Sequence, residues 1–221
     1  SATGGVWKTT NRGVTWEAVF EREGTPSVGD VALSPSNPNV VWVGTGEDFN
    51  ARSNSWGDGV YKSDDGGKSW KHMGLIETRH IGEVLVHPED PNIVYVAALG
   101  SLWGAGEERG LFKTQDGGES WSKVLYISQH TGIADIAMDP RDPDVLYAAA
   151  HQRERRNWSF VAGGPEGGLF KSTDGGESWK KLTRGLPEGE VGRIGVSVCA
   201  SQPDTVYAAV AAQERGGVFR S

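Results

Sequence analysis

The stretch Ser63-Asp-Asp-Gly-Gly-Lys-Ser-Trp70 occurs, with small changes, four times in this chain of 221 residues. The other copies run from Thr9 to Trp16, from Thr114 to Trp121 and from Ser172 to Trp179. We call each copy a clip. The closing tryptophans of successive clips stand 54, 51 and 58 residues apart, so the chain is built from an internal repeat.

Each clip has the residues of a tight turn between two short apolar-alternating runs, a pattern that predicts a β-hairpin. Its acidic residue can accept hydrogen bonds from amides of its own loop, and its glycine pair permits positive φ. The first copy differs, because Asn11 replaces the aspartate and Arg12 replaces a glycine. We assign a structural role to the acceptors and closing tryptophans of all four clips: Asn11, Asp65, Asp116, Asp174, Trp16, Trp70, Trp121 and Trp179.

A second pattern lies between the clips and predicts two further strands around a Pro, Asn or Asp turn, as in residues 133–140 and 145–148. A period of about fifty residues with four strands is typical of a propeller blade. We name the strands A and B around this turn, and C and D around the clip. The predicted fold is an all-β propeller of about four four-stranded antiparallel blades, with repeats near 5–24, 25–74, 75–128, 129–188 and 189–221.

The chain opens and closes in the middle of a blade and has no initiator Met, so we expect part of a larger propeller. One alternative is that the last A and B strands pair with the first C and D strands to close a four-bladed ring. The other is that the array stays open and associates with further sequence or with another copy through its blade edges.

Composition limits the classes of partner. A net charge of −7 gives no basic footprint for nucleic acid, and no apolar run approaches the length of a membrane span. One cysteine excludes an internal disulfide. Because His80, His130 and His151 have no tight ligand spacing, we expect neither a metal nor a cofactor.

Alternating strand direction puts the A–B turns and the clips on one face and the B–C and D–A loops on the other. The B–C loops are long and differ from one another (47–58, 100–110 and 151–168), which is usual for binding segments on a rigid scaffold. Aromatic and arginine side chains suit sugar rings, carboxylates or a peptide. Alternatively, these side chains pack on their own loops. The candidate binding residues are Arg52, Trp56, Asp58, Trp103, Arg109, Arg153, Arg155, Arg156, Trp158 and, from an A strand, Arg193.

Four residues occupy the same place in successive A strands: Asp30, Glu83, Asp135 and Arg193. The A strand is the innermost strand of a blade, so these side chains are expected near the mouth of the central channel. Close carboxylates raise one another's pKa and can divide acid and base roles, which makes the first three catalytic candidates. Alternatively, each bonds to the backbone of a neighbouring blade, or Arg193 neutralises a carboxylate.

The clips resemble the Asp-box, or bacterial neuraminidase repeat. With hairpins such as Asp139-Pro-Arg-Asp-Pro-Asp-Val-Leu-Tyr147, the whole chain resembles the sortilin (VPS10)-like propellers of large exported bacterial proteins often labelled glycosyl hydrolase-like. The resemblance implies a secreted, periplasmic or cell-surface location. It does not imply one activity, because such propellers include sialidases, xyloglucanases, sortilin-type receptors and photosystem II assembly factors.

The catalytic residues of these relatives do not carry over. Sialidases use three arginines from different blades, whereas here only Arg193 stands at an inner-strand position. Xyloglucanases place an Asp where this chain has Ala2, and Asp58 adjoins a single glycine in a different context. We therefore expect a binding propeller that recognises a glycan, peptide or protein through the B–C and D–A loops. The alternatives are a sialidase-like or xyloglucanase-like glycoside hydrolase that uses the inner-strand carboxylates, and a structural assembly module.

Overall fold

A computed structural model describes residues 4–49 and 53–221. Within these ranges the chain folds into nineteen β-strands and one short 3-10 helix, Ile76–Thr78. The strands are β1 (Trp7–Lys8), β2 (Glu17–Ala18), β3 (Val28–Leu33), β4 (Val41–Thr45), β5 (Val60–Ser63), β6 (Lys71–His72), β7 (Ile81–Val86), β8 (Val94–Ala98), β9 (Gly110–Thr114), β10 (Ser122–Leu125), β11 (Thr131–Asp139), β12 (Asp142–Gln152), β13 (Glu154–Arg155), β14 (Phe160–Val161), β15 (Gly168–Ser172), β16 (Lys180–Leu182), β17 (Val191–Val198), β18 (Val206–Ala212) and β19 (Gly217–Arg220). No helix in this part of the chain has the length and apolar character needed to cross a bilayer.

Three sheets are complete four-stranded antiparallel blades: β3-β4-β5-β6, β7-β8-β9-β10 and β11-β12-β15-β16. A two-stranded sheet, β1-β2, precedes them and a three-stranded sheet, β17-β18-β19, follows them. The remaining pair, β13-β14, is a hairpin inside the connection between β12 and β15. The predicted all-β propeller with four-stranded blades is confirmed, and the chain forms a partial propeller.

The sheets pack face to face, because their strands carry apolar residues toward each neighbour. The first strands of successive sheets, β3, β7, β11 and β17, lie side by side and form the inner edge of the array. Between the first two complete blades the core contains the buried residues Trp42, Val60, Ile81 and Val94. Equivalent clusters fill the following two interfaces, so the core is divided into layers between blades.

The clips have the hydrogen bonds expected of self-contained turns. In the second clip, Asp65 Oδ1 accepts the amides of Lys68 and Ser69 at 2.9 Å, and Ser63 Oγ donates to it at 2.8 Å. The Ser69 hydroxyl donates to Asp65 Oδ2 at 2.7 Å, and this bond, followed by the others, lowers the pKa of the Asp65 carboxyl. In the first clip Asn11 accepts the Thr15 amide in the same way.

The tryptophans of two clips connect neighbouring blades. Trp70 Nε1 donates to the carbonyl of Val19 at 2.6 Å, and Trp121 Nε1 donates to that of Met73 at 2.7 Å. Each acceptor follows the last strand of the preceding sheet. Trp16, in contrast, donates to Gly13 of its own clip and is 57% exposed.

The clips and the A–B turns lie at the same end of every complete blade. A clip glycine in each one donates its amide to the A–B turn: Gly66 to Asn39 at 2.8 Å, Gly117 to Asn92 at 3.0 Å and Gly175 to Asp144 at 2.9 Å. Because strand direction alternates, the long B–C loops leave from the opposite end. The predicted separation of clip face and loop face is confirmed. We use these two names for the two ends of the array.

Within residues 4–49 and 53–221 the closed four-bladed ring is not formed. Strand β18 pairs with β17 on one side and β19 on the other, so β19 fills the place that β1 would take in such a ring. The first hairpin, β1-β2, remains a separate sheet. A cleft of about 520 Å³ beside the last sheet is lined in part by Leu169 and Phe219, and self-association through such an edge stays a prediction.

Candidate functional site

Asp48 brings distant parts of the loop face together. The Asp48 carbonyl accepts hydrogen bonds from Nη1 of Arg153 at 3.1 Å and from Nη1 of Arg193 at 3.2 Å. Its carboxylate also forms an ion pair with Arg193. The loop after β4 is thereby joined to the loop after β12 and to the inner strand β17. Asp48 was not among the residues singled out from sequence.

The side chain of Arg109 points into its own loop. Its side chain is fully buried and donates to the carbonyls of Leu99 at 2.6 Å and Gly104 at 2.8 Å, and also to that of Ser101. Burial lowers the pKa of the Arg109 guanidinium. These contacts shape the connection between β8 and β9, which carries Trp103.

The hairpin β13-β14 lies on the loop face, and contacts of its arginine residues stabilise it. The Arg155 guanidinium stacks on the Phe160 ring at 4.3 Å, and the Arg155 amide donates to the Leu102 carbonyl at 2.7 Å. Arg156 pairs with Glu154 at 2.7 Å, which lowers the pKa of that carboxyl. The Arg155–Leu102 bond connects the hairpin to the neighbouring loop between β8 and β9.

Three tryptophans of the B–C loops are exposed to solvent: Trp56 at 53%, Trp103 at 43% and Trp158 at 82%. The guanidinium of Arg79 stacks over the Trp56 ring, 4.6 Å from its centroid. Sequence reasoning missed this contact, because Arg79 lies in a D–A loop. Trp158 lies at the turn of the projecting hairpin. The predicted residue Arg52 lies outside the described residues.

Asp58 forms hydrogen bonds at the start of β5. Its Oδ2 accepts the Tyr61 hydroxyl at 2.7 Å, and its amide donates to Thr45 Oγ1 at 2.9 Å. Burial, followed by the bond to Asp58, raises the pKa of Tyr61. This carboxylate orders the base of the loop that carries Trp56.

The inner-strand carboxylates connect one blade to the next. Asp30 accepts the Val84 amide at 2.9 Å, Glu83 the Ile136 amide at 2.8 Å, and Asp135 the Val196 amide at 3.0 Å. In each case the acceptor belongs to one inner strand and the amide to the following inner strand. This is the arrangement of the structural alternative, in which each carboxylate bonds to a neighbouring blade.

A β-bulge in each inner strand turns the carboxylate side chain toward the next inner strand. The strand register shifts between Val28 and Asp30 and between Ile81 and Glu83, and the same irregularity precedes Asp135. Gly29 stands within the first bulge, where a Cβ atom would lie 2.1 Å from the Ile81 carbonyl oxygen. The inner strands therefore approach closely enough for a carboxylate to reach the next backbone.

Burial raises the pKa of both Asp30 and Glu83. Glu83 is also hydrogen-bonded to the Asp135 carboxyl, which raises the pKa of Glu83 further.

The histidines of this face have different surroundings. His80 and His151 are buried, and burial, followed by the charge of Arg153, lowers their pKa to about 3 and about 4. His130 lies 3.4 Å from Glu154. Among the described residues no group of three or more His, Cys, Asp or Glu side chains has the arrangement that a metal ion needs.

The sheet order, the inner-strand row and the segregated loops together define a partial β-propeller with structural turns at one end and variable, aromatic loops at the other. The sequence profile of the family Sortilin-Vps10, described as Sortilin, neurotensin receptor 3, matches residues 58–216. The chain belongs to this family.

Curated relatives include two kinds of protein. Xyloglucanase Xgh74A of Acetivibrio thermocellus is 27% identical over 205 residues, covering 80% of this chain and 22% of the relative. The photosystem II assembly lipoprotein Ycf48 of Trichormus variabilis is 27% identical over 169 residues, covering 66% of this chain and 48% of the relative. The chain thus spans about a fifth of the length of the xyloglucanase.

Solved structures show the same fold. An ancestral GH74 enzyme superposes with a TM-score of 0.64 at 27% identity, covering 88% of this chain and 22% of that one. YCF48 from Cyanidioschyzon merolae superposes with a TM-score of 0.57 at 15% identity, covering all of this chain and 63% of that one. At that identity the second likeness concerns the fold alone.

Proposed function

We propose that this chain is a recognition module that binds a glycan of the xyloglucan type on its loop face. The observation that carries the proposal is the set of solvent-exposed indoles on the B–C loops, Trp56, Trp103 and Trp158. An indole offers a flat apolar face together with one N–H donor. The face can therefore pack against a sugar ring while the N–H at the ring edge remains hydrated. Relatives named xyloglucanases support this choice of ligand.

The scaffold under these tryptophans is rigid, which favours recognition. Arg109 fixes the loop of Trp103 through three backbone carbonyls, and the amide of Arg155 joins the Trp158 hairpin to Leu102. Side chains presented by pre-ordered loops lose less conformational freedom on binding. A long polymer can also use several separated contacts, each of modest strength.

Catalysis is a weaker proposal for this stretch of the protein. Glycosidases need two carboxyl groups about 5–5.5 Å or 6.5–9.5 Å apart on either side of the scissile bond. Here Glu83 and Asp135 are hydrogen-bonded to each other, and each also accepts an amide of the next inner strand. One observation keeps a hydrolase as the second candidate: the raised pKa of Glu83 is what a general acid requires.

We also propose that the module acts outside the cytoplasm of a bacterium, as a secreted, periplasmic or cell-surface protein. The relative named as a lipoprotein supports an envelope location. A peptide or protein ligand on the same face is the other outcome that the binding experiment can give.

The test is isothermal titration of the chain with xyloglucan oligosaccharides and with cello-oligosaccharides of equal backbone length. Trp158→Ala is compared with the matched control Trp16→Ala, which removes an exposed indole from the clip face. We expect xyloglucan binding to weaken about tenfold in Trp158→Ala, equivalent to about 1.4 kcal/mol, and to stay unchanged in the control.

Absence of oligosaccharide binding, or an equal loss in both variants, contradicts the proposal. Release of new reducing ends by the chain, abolished in Glu83→Gln, would establish the hydrolase instead. A Glu83→Gln variant that binds like the parent agrees with the bonded carboxyl pair.

A further inference from the structure

The hairpin β13-β14 has one edge that is already bonded to the rest of the loop face. Arg155 and Phe160 face each other across the two strands, and Glu154 faces Val161. The Arg155 amide donates to the Leu102 carbonyl at 2.7 Å, so the backbone of this residue is directed away from β14. The edge formed by β13 is thereby joined to the loop between β8 and β9.

The register directs the backbone of Phe160 toward the other edge. In an antiparallel pair of strands, residues that exchange backbone hydrogen bonds alternate with residues whose N–H and C=O groups point outward. The Arg156 amide donates to the Ser159 carbonyl at 2.9 Å, so these two residues form a bonded pair. The adjacent pair, Arg155 and Phe160, is consequently of the outward-facing kind. The N–H and C=O of Phe160 therefore point away from β13.

This edge of β14 faces the last sheet. Backbone direction alternates along a strand, so the backbone of Ala162 points the same way as that of Phe160. The Ala162 carbonyl oxygen lies 2.9 Å from the position that a Cβ atom would take at Gly192, in β17. Gly164 and Val191 then exchange two backbone hydrogen bonds, at 3.0 and 3.2 Å. The hairpin side and the last sheet are thus in contact beyond Ala162.

A groove of about 560 Å³ lies beside the edge at Phe160. The described residues that line it are apolar apart from Gln213 and Glu190, and the Glu190 side chain is exposed. The arginines of the hairpin have other contacts, since Arg155 stacks on the Phe160 ring and Arg156 is in an ion pair. The groove therefore combines a backbone donor and acceptor with a carboxylate. The net charge of −7 also favours the approach of a basic partner.

We propose that the open edge of β14 is a docking site for an extended peptide with basic side chains, contributed by a partner protein. One peptide residue lies opposite Phe160, donates its N–H to the Phe160 carbonyl and accepts the Phe160 N–H. A neighbouring lysine or arginine of the peptide lies near Glu190. Main-chain hydrogen bonds then supply affinity, and the side-chain contacts supply specificity. The site uses none of the exposed tryptophans and does not depend on the glycan of the proposed function.

The experiment titrates the full ¹⁵N-labelled chain with the end-capped pentapeptide Thr-Lys-Val-Lys-Thr, followed by NMR. One control peptide has glutamate in place of both lysines, and the other carries N-methyl groups on its three central residues. We expect the parent peptide to shift the Phe160 amide proton downfield, because this amide enters a hydrogen bond. Methylation should weaken binding about tenfold, since it removes backbone donors and blocks close strand approach. The glutamate peptide should bind more weakly than the lysine peptide, by a margin that shrinks as salt is raised.

Two variants of one residue separate backbone from side chain. Phe160→Pro removes the amide donor, whereas the matched control Phe160→Ala removes the ring and keeps the donor. Only the proline variant should lose peptide binding about tenfold. Glu190→Gln should abolish the preference for lysine over glutamate. Trp158→Ala should bind the peptide like the parent, and Glu190→Gln should bind xyloglucan oligosaccharides like the parent, so the two proposals fail separately.

Equal binding of the methylated and unmethylated lysine peptides would overturn the inference, because it would show attraction between charges alone. Absence of binding, or binding that leaves the Phe160 amide unshifted, would overturn it as well. Equal affinities of Phe160→Ala and a folded Phe160→Pro protein would have the same meaning. The methylated peptide decides the question even if the proline variant does not fold.

Discussion

Trp121 packs between two blades, and we expect its replacement to lower the free energy of unfolding measurably. The ring packs edge-on against the buried Trp42 at 6.0 Å between centroids, and its Nε1 donates to the Met73 carbonyl at 2.7 Å. Both partners belong to the preceding blade. Trp121→Ala would therefore open a gap in an interface between sheets and leave one carbonyl without its donor.

The magnitude follows from these contacts. Replacing a fully buried tryptophan by alanine costs about 3–5 kcal/mol, and Trp121 is half-buried, so about 2 kcal/mol is assigned to packing. The lost hydrogen bond adds about 1 kcal/mol. A total of about 3 kcal/mol should lower the Tm of a chain of this size by about 6–12 °C.

Differential scanning calorimetry and urea unfolding measure this effect, with Trp16→Ala as the control. Trp16 is 57% exposed and bonds only within its own clip, so its removal should cost less than about 1 kcal/mol. Trp121→Phe keeps part of the packing and should cost less than Trp121→Ala. Equal losses for the Trp121 and Trp16 alanine variants would refute the assignment of an interblade role.

The remaining predictions concern the inner edge and the buried histidines. Asp30→Ala leaves the Val84 amide without its acceptor and should destabilise the chain by about 1–3 kcal/mol in urea unfolding; a neutral result would contradict the interblade bond. Because the pKa of Glu83 is raised above 4.5 in the folded chain, its contribution to stability is complete below that pH and is lost as pH rises through the folded value. Glu83→Gln should therefore flatten the fall in stability between pH 4.5 and about 9, which thermal melts at several pH values can check. For His80 the sign is opposite: its folded pKa of about 3 lies below 6.5, so its contribution is present above pH 6.5 and is lost as pH falls toward 3. His80→Gln should make the chain less sensitive to acid, and an unchanged pH profile would argue against a buried neutral imidazole.

Much of the architecture can be predicted from the sequence because the relevant interactions are local. The clip around Asp65 carries its own hydrogen-bond partners, and strand alternation then places clips and A–B turns together. The row of Asp30, Glu83 and Asp135 was also found by aligning the repeats. The amide donors that these carboxylates bind cannot be identified from the sequence, because the bulges that orient the side chains depend on how closely the sheets approach.

The loop face is much less predictable, since its loops have no period. Nothing in the local sequence indicates that Asp48 contacts Arg193, 145 residues further along the chain. Nor does it indicate that Arg109 points inward to three carbonyls while Trp103 remains exposed. The direction of such side chains is determined by the backbone path of each loop and by its neighbours, which exist only after the blades have packed.

Hydrogen–deuterium exchange with and without a xyloglucan oligosaccharide tests the division into a recognition face and a structural face most directly. The account predicts slower exchange in the loops around Trp56, Trp103 and Trp158, with unchanged exchange in the clips that end at Trp70 and Trp121. Protection concentrated in the clips, with the loops unaffected, would contradict it.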